Sequence, residues 1–373
     1  MSAEGKVLIE LPARPGTPVG VTFRPPADVT RLFIGKTPEE VLTLVPALHG
    51  VCATAQTHAA VLALEGALDI TVTDETARAR QALTMMECLR EHGLRAIMDW
   101  PRLMGETADN LAARQAMTFL PGFQAALSGA SAPFSVGAKV SMPMEPLVRI
   151  IAETAEFLKT TVFGEPLECW LSRRGADALR DWAENAKTAA GRFISWLFAT
   201  DRFAVAAFPP VRLPEFDPGT LPAWLSSESQ NGLAEATSYI RRAGDPLLTG
   251  LGTPGLGVRF AARLVELARL PGEMLAVLTG ETRPPSAIRD ETGTGYGTVQ
   301  AARGALIHTA KVEQDRVSAY RMLPPTERNF ASRGIAARCL DDLHTANEAE
   351  RRLRANLVVN AIDPCVACEV RAG

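Results

Sequence analysis

Asp363-Pro364-Cys365-Val366-Ala367-Cys368-Glu369-Val370-Arg371-Ala372-Gly373 places two thiols three residues apart directly behind an Asp-Pro step. That is a metal-ligand spacing. Asp is a favoured helix N-cap and Pro a favoured first helical residue, so Cys365 and Cys368 are expected in the first turn of a helix, where the dipole favours the thiolate. A second pair far upstream, His49-Gly50-Val51-Cys52, repeats the spacing, and the two pairs make a candidate Cys3His ligand set. On spacing alone the same set also fits a closed, tetrahedral structural zinc site.

Length and composition bound the rest. The chain has 373 residues, enough for two or three domains of ordinary size, but no low-complexity linker divides it and one domain over 1–373 is expected. Charge is nearly balanced, 39 Lys+Arg against 42 Asp+Glu, which leaves no electrostatic footprint for nucleic acid. The first residues, Met1 to Lys6, run into a short β-like stretch with neither a basic region feeding an apolar run nor a twin-arginine signal, so a cytoplasmic protein is expected. The longest uncharged stretch, Gln115 to Ala138, is broken by Pro121, Gly122, Gly129, Pro133 and Gly137 and does not read as a membrane span. Six cysteines in so long a chain argue against a disulfide framework and leave metal binding or burial.

The fold class expected is α+β, mainly α: a helical bundle with a small N-terminal sheet and a C-terminal β-hairpin region. Residues 1–36 read as β, since Lys6 to Phe23 alternates and carries the turn residues Pro15-Gly16 and Pro18. The bundle spans 37–280. It opens at Thr37-Pro38-Glu39-Glu40, a capping-box-like start, and continues through Cys52 to Leu68 as one long helix or two nearly continuous ones. Asp74 to Met98 repeats the helical period, and further helices are predicted at 108–120, 143–160, 175–200 and 256–279. Phe208 to Gly232, with five prolines and a serine cluster, reads as a long surface loop. Over 281–330 the pattern returns to β, with a run from Thr298 to Ala310, polar Glu313-Gln314-Asp315, and a second run from Val317 to Leu323. Residues 331–373 are expected to be a helical C-terminus carrying the Cys-x-x-Cys.

Ala302-Arg303-Gly304-Ala305-Leu306-Ile307-His308, the hairpin after it, Pro325-Thr326-Glu327-Arg328-Asn329, and Asp363-Pro364-Cys365-Val366-Ala367-Cys368 occur in an order that resembles nickel-dependent hydrogenase large subunits. In that family the corresponding patterns are Arg-Gly-x-Leu-x-His, Pro-Thr-x-x-Asn and a C-terminal Asp-Pro-Cys-x-x-Cys. The family's N-terminal Cys-Gly-x-Cys falls on His49-Gly50-Val51-Cys52. The resemblance implies that Cys52 and Cys368 match the two cysteines that bridge nickel to an iron carrying carbon monoxide and cyanide. Cys365 would match one terminal nickel ligand, while His49 stands where the other thiolate is expected. It further implies that Arg303 hangs over the diatomic ligands, as a guanidinium suited to hydrogen-bonding a cyanide nitrogen, and that Asp363 belongs to the cofactor-binding set beside its capping role.

The departures point away from an enzyme. One nickel thiolate is replaced, the family's histidine after the second N-terminal cysteine is Gln56, the terminal histidine is Arg371, and the chain is short with no expected processing tail. In these respects it resembles the HupK/HoxV-type hydrogenase accessory proteins. The resemblance then implies a non-catalytic scaffold that transiently holds an Fe(CN)2CO unit, leaves nickel open, and deals with hydrogenase maturation proteins and a large-subunit precursor. The alternatives are a divergent hydrogenase large subunit oxidising hydrogen, since imidazole does bind nickel, or the Cys3His zinc protein. Among the remaining candidates, Glu10 reads as an exposed strand residue, His308 as a hydrogen-bonded packing histidine, and His58 as turned away from Cys52. Cys88, Cys169 and Cys339 read as buried small hydrophobes, and Gly293, Gly295 and Gly297 as the turn leading to Arg303.

Overall fold

The computed structural model describes residues 5–12, 17–24, 29–129, 132–212, 220–226, 234–341, 343 and 347–372. The Pro15-Gly16 turn and most of the proline-rich 208–232 segment lie outside them.

Thr37 starts the bundle as a reciprocal cap. Its hydroxyl accepts from the Glu40 N–H, and Glu40 returns a carboxylate to the Thr37 N–H at 2.8 Å. The helix Pro38–Leu48 stops at His49, and a second helix, Ala53–Leu68, begins after Cys52, so the pair of nearly continuous helices is the arrangement found. The second helix is buried on nearly every face. An all-round apolar helix needs cover on all sides, and the cover is the helix Asp74–Leu94 with the sheet 288–323. Behind them lies Leu256–Thr279, also buried along its length and packed on Asp74–Leu94 and Met144–Leu158. Trp100 stacks on Phe193 at 4.8 Å and meets Phe260 edge-on at 5.5 Å. This aromatic knot fixes the wide π-helical turn Arg95–Asp99 that continues Asp74–Leu94.

Several boundaries differ from those the sequence predicts. The 175–200 span is two helices, Gly175–Asn185 and Ala189–Ala199, the second started by Thr188, whose hydroxyl accepts from Gly191 N. The 108–120 helix runs on over Pro121 and Gly122 to Ala126. Within the expected 208–232 loop there is a helix, Thr220–Ser226, whose Leu221 and Trp224 are buried. The β run from Thr298 is two strands, Gly295–Ala301 and Gly304–Glu313, folded back at Ala302-Arg303, and Arg316–Leu323 pairs with the second. Gly295 and Gly297 are therefore strand residues. A Cβ on Gly297 would sit 2.0 Å from the Ala59 carbonyl oxygen, so glycine there lets the Ala53–Leu68 helix lie directly on the sheet.

The largest correction concerns the last residues. Asp363 does not begin a helix; it ends one, as the left-handed C-cap (φ 64°) of Glu348–Ile362, and its N–H donates to the Val359 carbonyl at 2.7 Å. Pro364 cannot continue the helix. The chain instead runs out as a strand, Ala367–Ala372, parallel to Lys6–Leu11, which in turn pairs antiparallel with Gly20–Arg24. Cys368 stands opposite Val7. The two ends of the chain thus make one small sheet, with Glu10 on its exposed side.

A methyl group on Gly297 has mainly backbone to collide with, so Gly297→Ala is expected to cost about 3 kcal/mol, the upper end of overpacking. Gly50→Ala, where a Cβ meets nothing within 4 Å, is the control in a urea titration, and equal midpoints for the two would contradict the close helix–sheet contact.

Candidate metal-unit site

Cys52 precedes the first turn of Ala53–Leu68 and makes no capping hydrogen bond with its own side chain. Glu87, from Asp74–Leu94, supplies the cap: its two carboxylate oxygens accept from Thr54 N at 2.8 Å and Ala55 N at 2.9 Å. One turn further along that helix, Glu91 accepts from Arg303 Nη1 at 2.8 Å and from Arg90 Nη2 at 2.8 Å. Arg303 projects from the 302–303 turn with 2 % of its surface exposed, and Nη1 also reaches Cys52 Sγ at 3.5 Å. Gly304 makes the turn fit. Its φ is 126°, and a Cβ would lie 1.8 Å from the Ala236 carbonyl oxygen, in a segment that Asn329 clamps through Oδ1 to Ala236 N at 2.8 Å.

Asp363 closes the network. Its carboxylate is 2.8 Å from Arg95 Nη2, 3.2 Å from Arg303 Nε and 3.6 Å from Arg263 Nη2. Burial alone would push this carboxyl up, but the three guanidiniums pull it down to about 2. Burial likewise opposes the charge of Arg303, yet Asp363, Cys52 and Glu91 hold its pKa well above the ordinary value. Arg263, with less compensation, falls to about 10.

The thiols behave differently from the helix-start expectation. Burial raises Cys52 well above the usual thiol value, although Arg303 pulls the other way. Burial also raises Cys365, against a hydrogen bond with Thr326, whose hydroxyl oxygen lies 2.9 Å from the sulfur and accepts from Cys365 N at 3.0 Å. Cys368 rises to about 11, again through burial and despite Lys6. Cys365 packs into the same apolar cluster as Cys52, with Ala55, Leu62, Val299 and Leu306. Cys368 does not join that cluster; it packs against the main core and lines a cleft of about 370 Å³ with Arg95, Arg102, Asn356, Asn360 and Asp363. His49 caps Pro38–Leu48 half-buried, its pKa lowered by burial and its Nε2 without a hydrogen-bond partner. Cys52, Cys365, Arg303 and Asp363 are therefore gathered, and Cys368 and His49 flank them.

Among the described residues no three His, Cys, Asp or Glu side chains are arranged to hold a metal ion, so a closed Cys3His zinc site is not built. His308 is the hydrogen-bonded packing residue expected, with Nδ1 2.7 Å from Tyr320 Oη and Nε2 2.7 Å from Gln56 Oε1, and burial lowers it to about 3. His58 is buried against Thr84 at 2.8 Å, away from the thiols. Cys88 and Cys339 are buried, but Cys169 is exposed. Motif and spacing do not point to Glu87, Glu91, Arg95 or Arg263. A signal is present nonetheless: charged residues inside helices otherwise buried all round are almost never free of a partner, and Glu87, Glu91 and Arg95 succeed each other at one-turn spacing.

Against this geometry the comparisons with known proteins are clear. A nickel-dependent hydrogenase family model matches residues 267–371. The hydrogenase expression/formation protein HupV of Azotobacter chroococcum mcd 1 is 30% identical, covering 93% of this chain and 92% of that protein. HupK of Rhizobium leguminosarum bv. viciae is 31% identical over 94% and 92% respectively. The chain belongs to this family of hydrogenase expression/formation proteins. Its fold is that of hydrogenase large subunits: a NiFeSe hydrogenase from Dm. baculatum superposes with a TM-score of 0.65 at 16% identity, covering 94% of this chain and 93% of that one. Among the described residues no helix of this family member is long and apolar enough to cross a membrane.

Replacing Asp363 by Asn would leave the buried Arg263 and Arg303 and the half-buried Arg95 without their shared counter-ion and is expected to cost about 3–5 kcal/mol at neutral pH. The carboxyl's pKa falls from 3.8 to about 2 on folding, so its contribution is present above the unfolded value and drains as pH drops through that window. Denaturation of wild type and variant should accordingly converge as pH falls from 3.8 to about 2, and a gap that stays constant would refute the assignment. The thiols should alkylate in the order Cys169, Cys368, Cys365, with Cys88 and Cys339 last, as read by peptide mass mapping of the folded protein. Cys368 should show a pH profile rising toward about 11; a fast Cys88 would show that the buried order is wrong.

Proposed function

We propose that this member of the hydrogenase expression/formation family serves as a non-catalytic scaffold in hydrogenase maturation. It holds the Fe(CN)2CO unit through Cys52, Cys365 and Cys368, with His49 at the edge, and yields it in the cytoplasm to a hydrogenase large-subunit precursor. The observation that carries the reading is the Arg303 guanidinium 3.5 Å from Cys52 Sγ, over an apolar wall shared with Cys365. Iron that already carries three diatomic ligands needs few donors from the protein. Two gathered thiols are then enough to begin with, where a bare ion would require four. Cyanide is anionic and accepts hydrogen bonds at nitrogen, which suits a buried guanidinium. Carbon monoxide asks only for apolar walls, and Val299, Leu306 and Leu62 provide them.

The thiols' raised pKa values fit cargo rather than a permanently charged site. Without metal Cys52 and Cys365 stay protonated and neutral in their apolar setting, and loading releases their protons as thiolate–iron bonds form. Cys368, lining the 370 Å³ cleft, is placed to meet the unit on its way in or out. Nickel is less well served, because His49 stands at the position of one family thiolate and its ring nitrogen is not aligned with the other donors.

Infrared spectroscopy tests this, since polypeptide is silent where carbonyl and cyanide stretch. Protein purified anaerobically from cells that assemble hydrogenase should show both kinds of band, Cys52→Ala should lose them, and Cys169→Ala should keep them. On mixing with a metal-free large-subunit precursor the bands should pass to the precursor. Bands unaffected by Cys52→Ala, or hydrogen turnover by the isolated chain, would defeat the scaffold reading.

A further inference from the structure

Tyr320, His308 and Gln56 form a buried relay that ends on the Cys52 helix, with exposures of 8%, 0% and 6%. Tyr320 Oη lies 2.7 Å from His308 Nδ1, and His308 Nε2 lies 2.7 Å from the Gln56 side-chain oxygen. The phenol has a single hydrogen to give, and Nδ1 is its only acceptor among the described residues. Nδ1 is then the acceptor, the neutral ring carries its hydrogen on Nε2, and that N–H donates to the Gln56 carbonyl oxygen. An inverted amide would put the ring hydrogen on Nδ1 and leave the phenol hydrogen unused. The carbonyl end of Gln56 is thereby committed, and the amide N–H2 end is what remains.

Gln56 lies one turn after Cys52, and its backbone N–H donates to the Cys52 carbonyl at 2.9 Å. Helical side chains lean toward the N-terminus, so the Gln56 side chain leans toward the Cys52 end of the helix. No described residue accepts from its amide nitrogen. The nearby carboxylates are spoken for as well: Glu87 by two backbone N–H groups, Glu91 by Arg90 and Arg303, and Asp363 by Arg95, Arg263 and Arg303.

We propose that this relay sets the specificity of the site: it commits the Gln56 carbonyl and leaves the Gln56 amide, with the Arg303 guanidinium, as hydrogen-bond donors beside Cys52, so the site favours a metal already dressed with electron-rich anionic ligands over a bare divalent cation. The proposal deepens the cargo-holding role and rests on it. A bare cation needs carboxylate or carbonyl oxygens to complete its shell beside the thiols, and here the Glu87, Glu91 and Gln56 oxygens are hydrogen-bonded while Asp363 is ion-paired with three guanidiniums. A cyanide nitrogen or a metal-bound thiolate instead accepts the N–H that Gln56 holds out. Gln56 acts by contact with the cargo, while His308 and Tyr320 are positioning residues that fix which end of the amide faces it.

Zinc alone, titrated into reduced metal-free protein, is the probe. Gln56→Glu puts an acceptor oxygen where the N–H stood and should tighten zinc binding at least about 10-fold, the scale on which groups beside metal ligands act. Tyr320→Phe changes nothing at Cys52 itself but frees the His308 ring to exchange tautomers and the amide to invert, so its zinc affinity should fall between wild type and Gln56→Glu. It also carries the test if the Glu variant fails to fold. Zinc affinities equal in all three proteins would overturn the proposal. In protein loaded in cells, Gln56→Leu should displace the cyanide bands if the amide donates to cyanide, or all the carbonyl and cyanide bands together if it donates to the thiolate; bands at unchanged positions would also overturn it. Absence of such bands in the wild type would defeat the holding role instead, and the zinc comparison would still judge the relay on its own.

Discussion

Three guanidinium groups share one carboxylate at the junction of the helices and the C-terminal strand. Arg95 comes from the π turn, Arg263 from the long buried helix Leu256–Thr279, Arg303 from the strand-to-strand turn, and Asp363 from the cap of the last helix. None of these cations can lose its charge cheaply, and burial denies Arg263 and Arg303 the water that would otherwise compensate it. Their common anion therefore constrains four elements at once. It also settles the path of the last residues: Asp363 turns its side chain inward by taking a left-handed backbone conformation, and Pro364 then directs the chain outward into the strand beside Lys6–Leu11.

That constraint explains what is legible in the sequence and what is not. The helix starts at Thr37 and Leu256, the fold class and the family can be read from caps, periodicity and four motifs in order, because those signals are local. The role of Asp363 is hidden because Asp-Pro is ambiguous. The same dipeptide that starts a helix also ends one, and only the three arginines, none nearer than 60 residues in sequence to Asp363, decide between the two. The glycines at 295 and 297 are opaque for a similar reason, since their need comes from a helix packed across the sheet and not from their neighbours in the chain. The break at 302–303 is masked by small and apolar residues on both sides of Arg303.

The difference in direction between Cys365 and Cys368 arises from the same turn. A strand sends alternate side chains to opposite faces, and the chain straightens into one only at Ala367, so Cys365 is still in the turn that faces Cys52 while Cys368 belongs to the sheet. Spacing of two thiols in sequence says nothing about this, because Cys-x-x-Cys brings both sulfurs to one point only on a helix or a tight loop. The observed geometry separates an inner pair from an outer thiol, and a separation of that kind suits cargo that has to leave as well as arrive.

The electrostatics around the inner pair then reduce to a question of which lone pairs remain. Burial keeps the thiols protonated, the capping of the Cys52 helix consumes Glu87, the arginines consume Glu91 and Asp363, and the Tyr320–His308 pair consumes the carbonyl of Gln56. Each engagement has its own structural reason, and together they occupy the carboxylates and the Gln56 carbonyl around the thiols, with the Arg303 guanidinium 3.5 Å from Cys52 Sγ. A bare ion entering such a space would have to displace a buried partner from one of these groups, at the cost of leaving that partner unpaired. On the proposed holding role, a metal that brings its own anionic ligands would displace nothing and would find in Arg303 and Gln56 donors for those ligands.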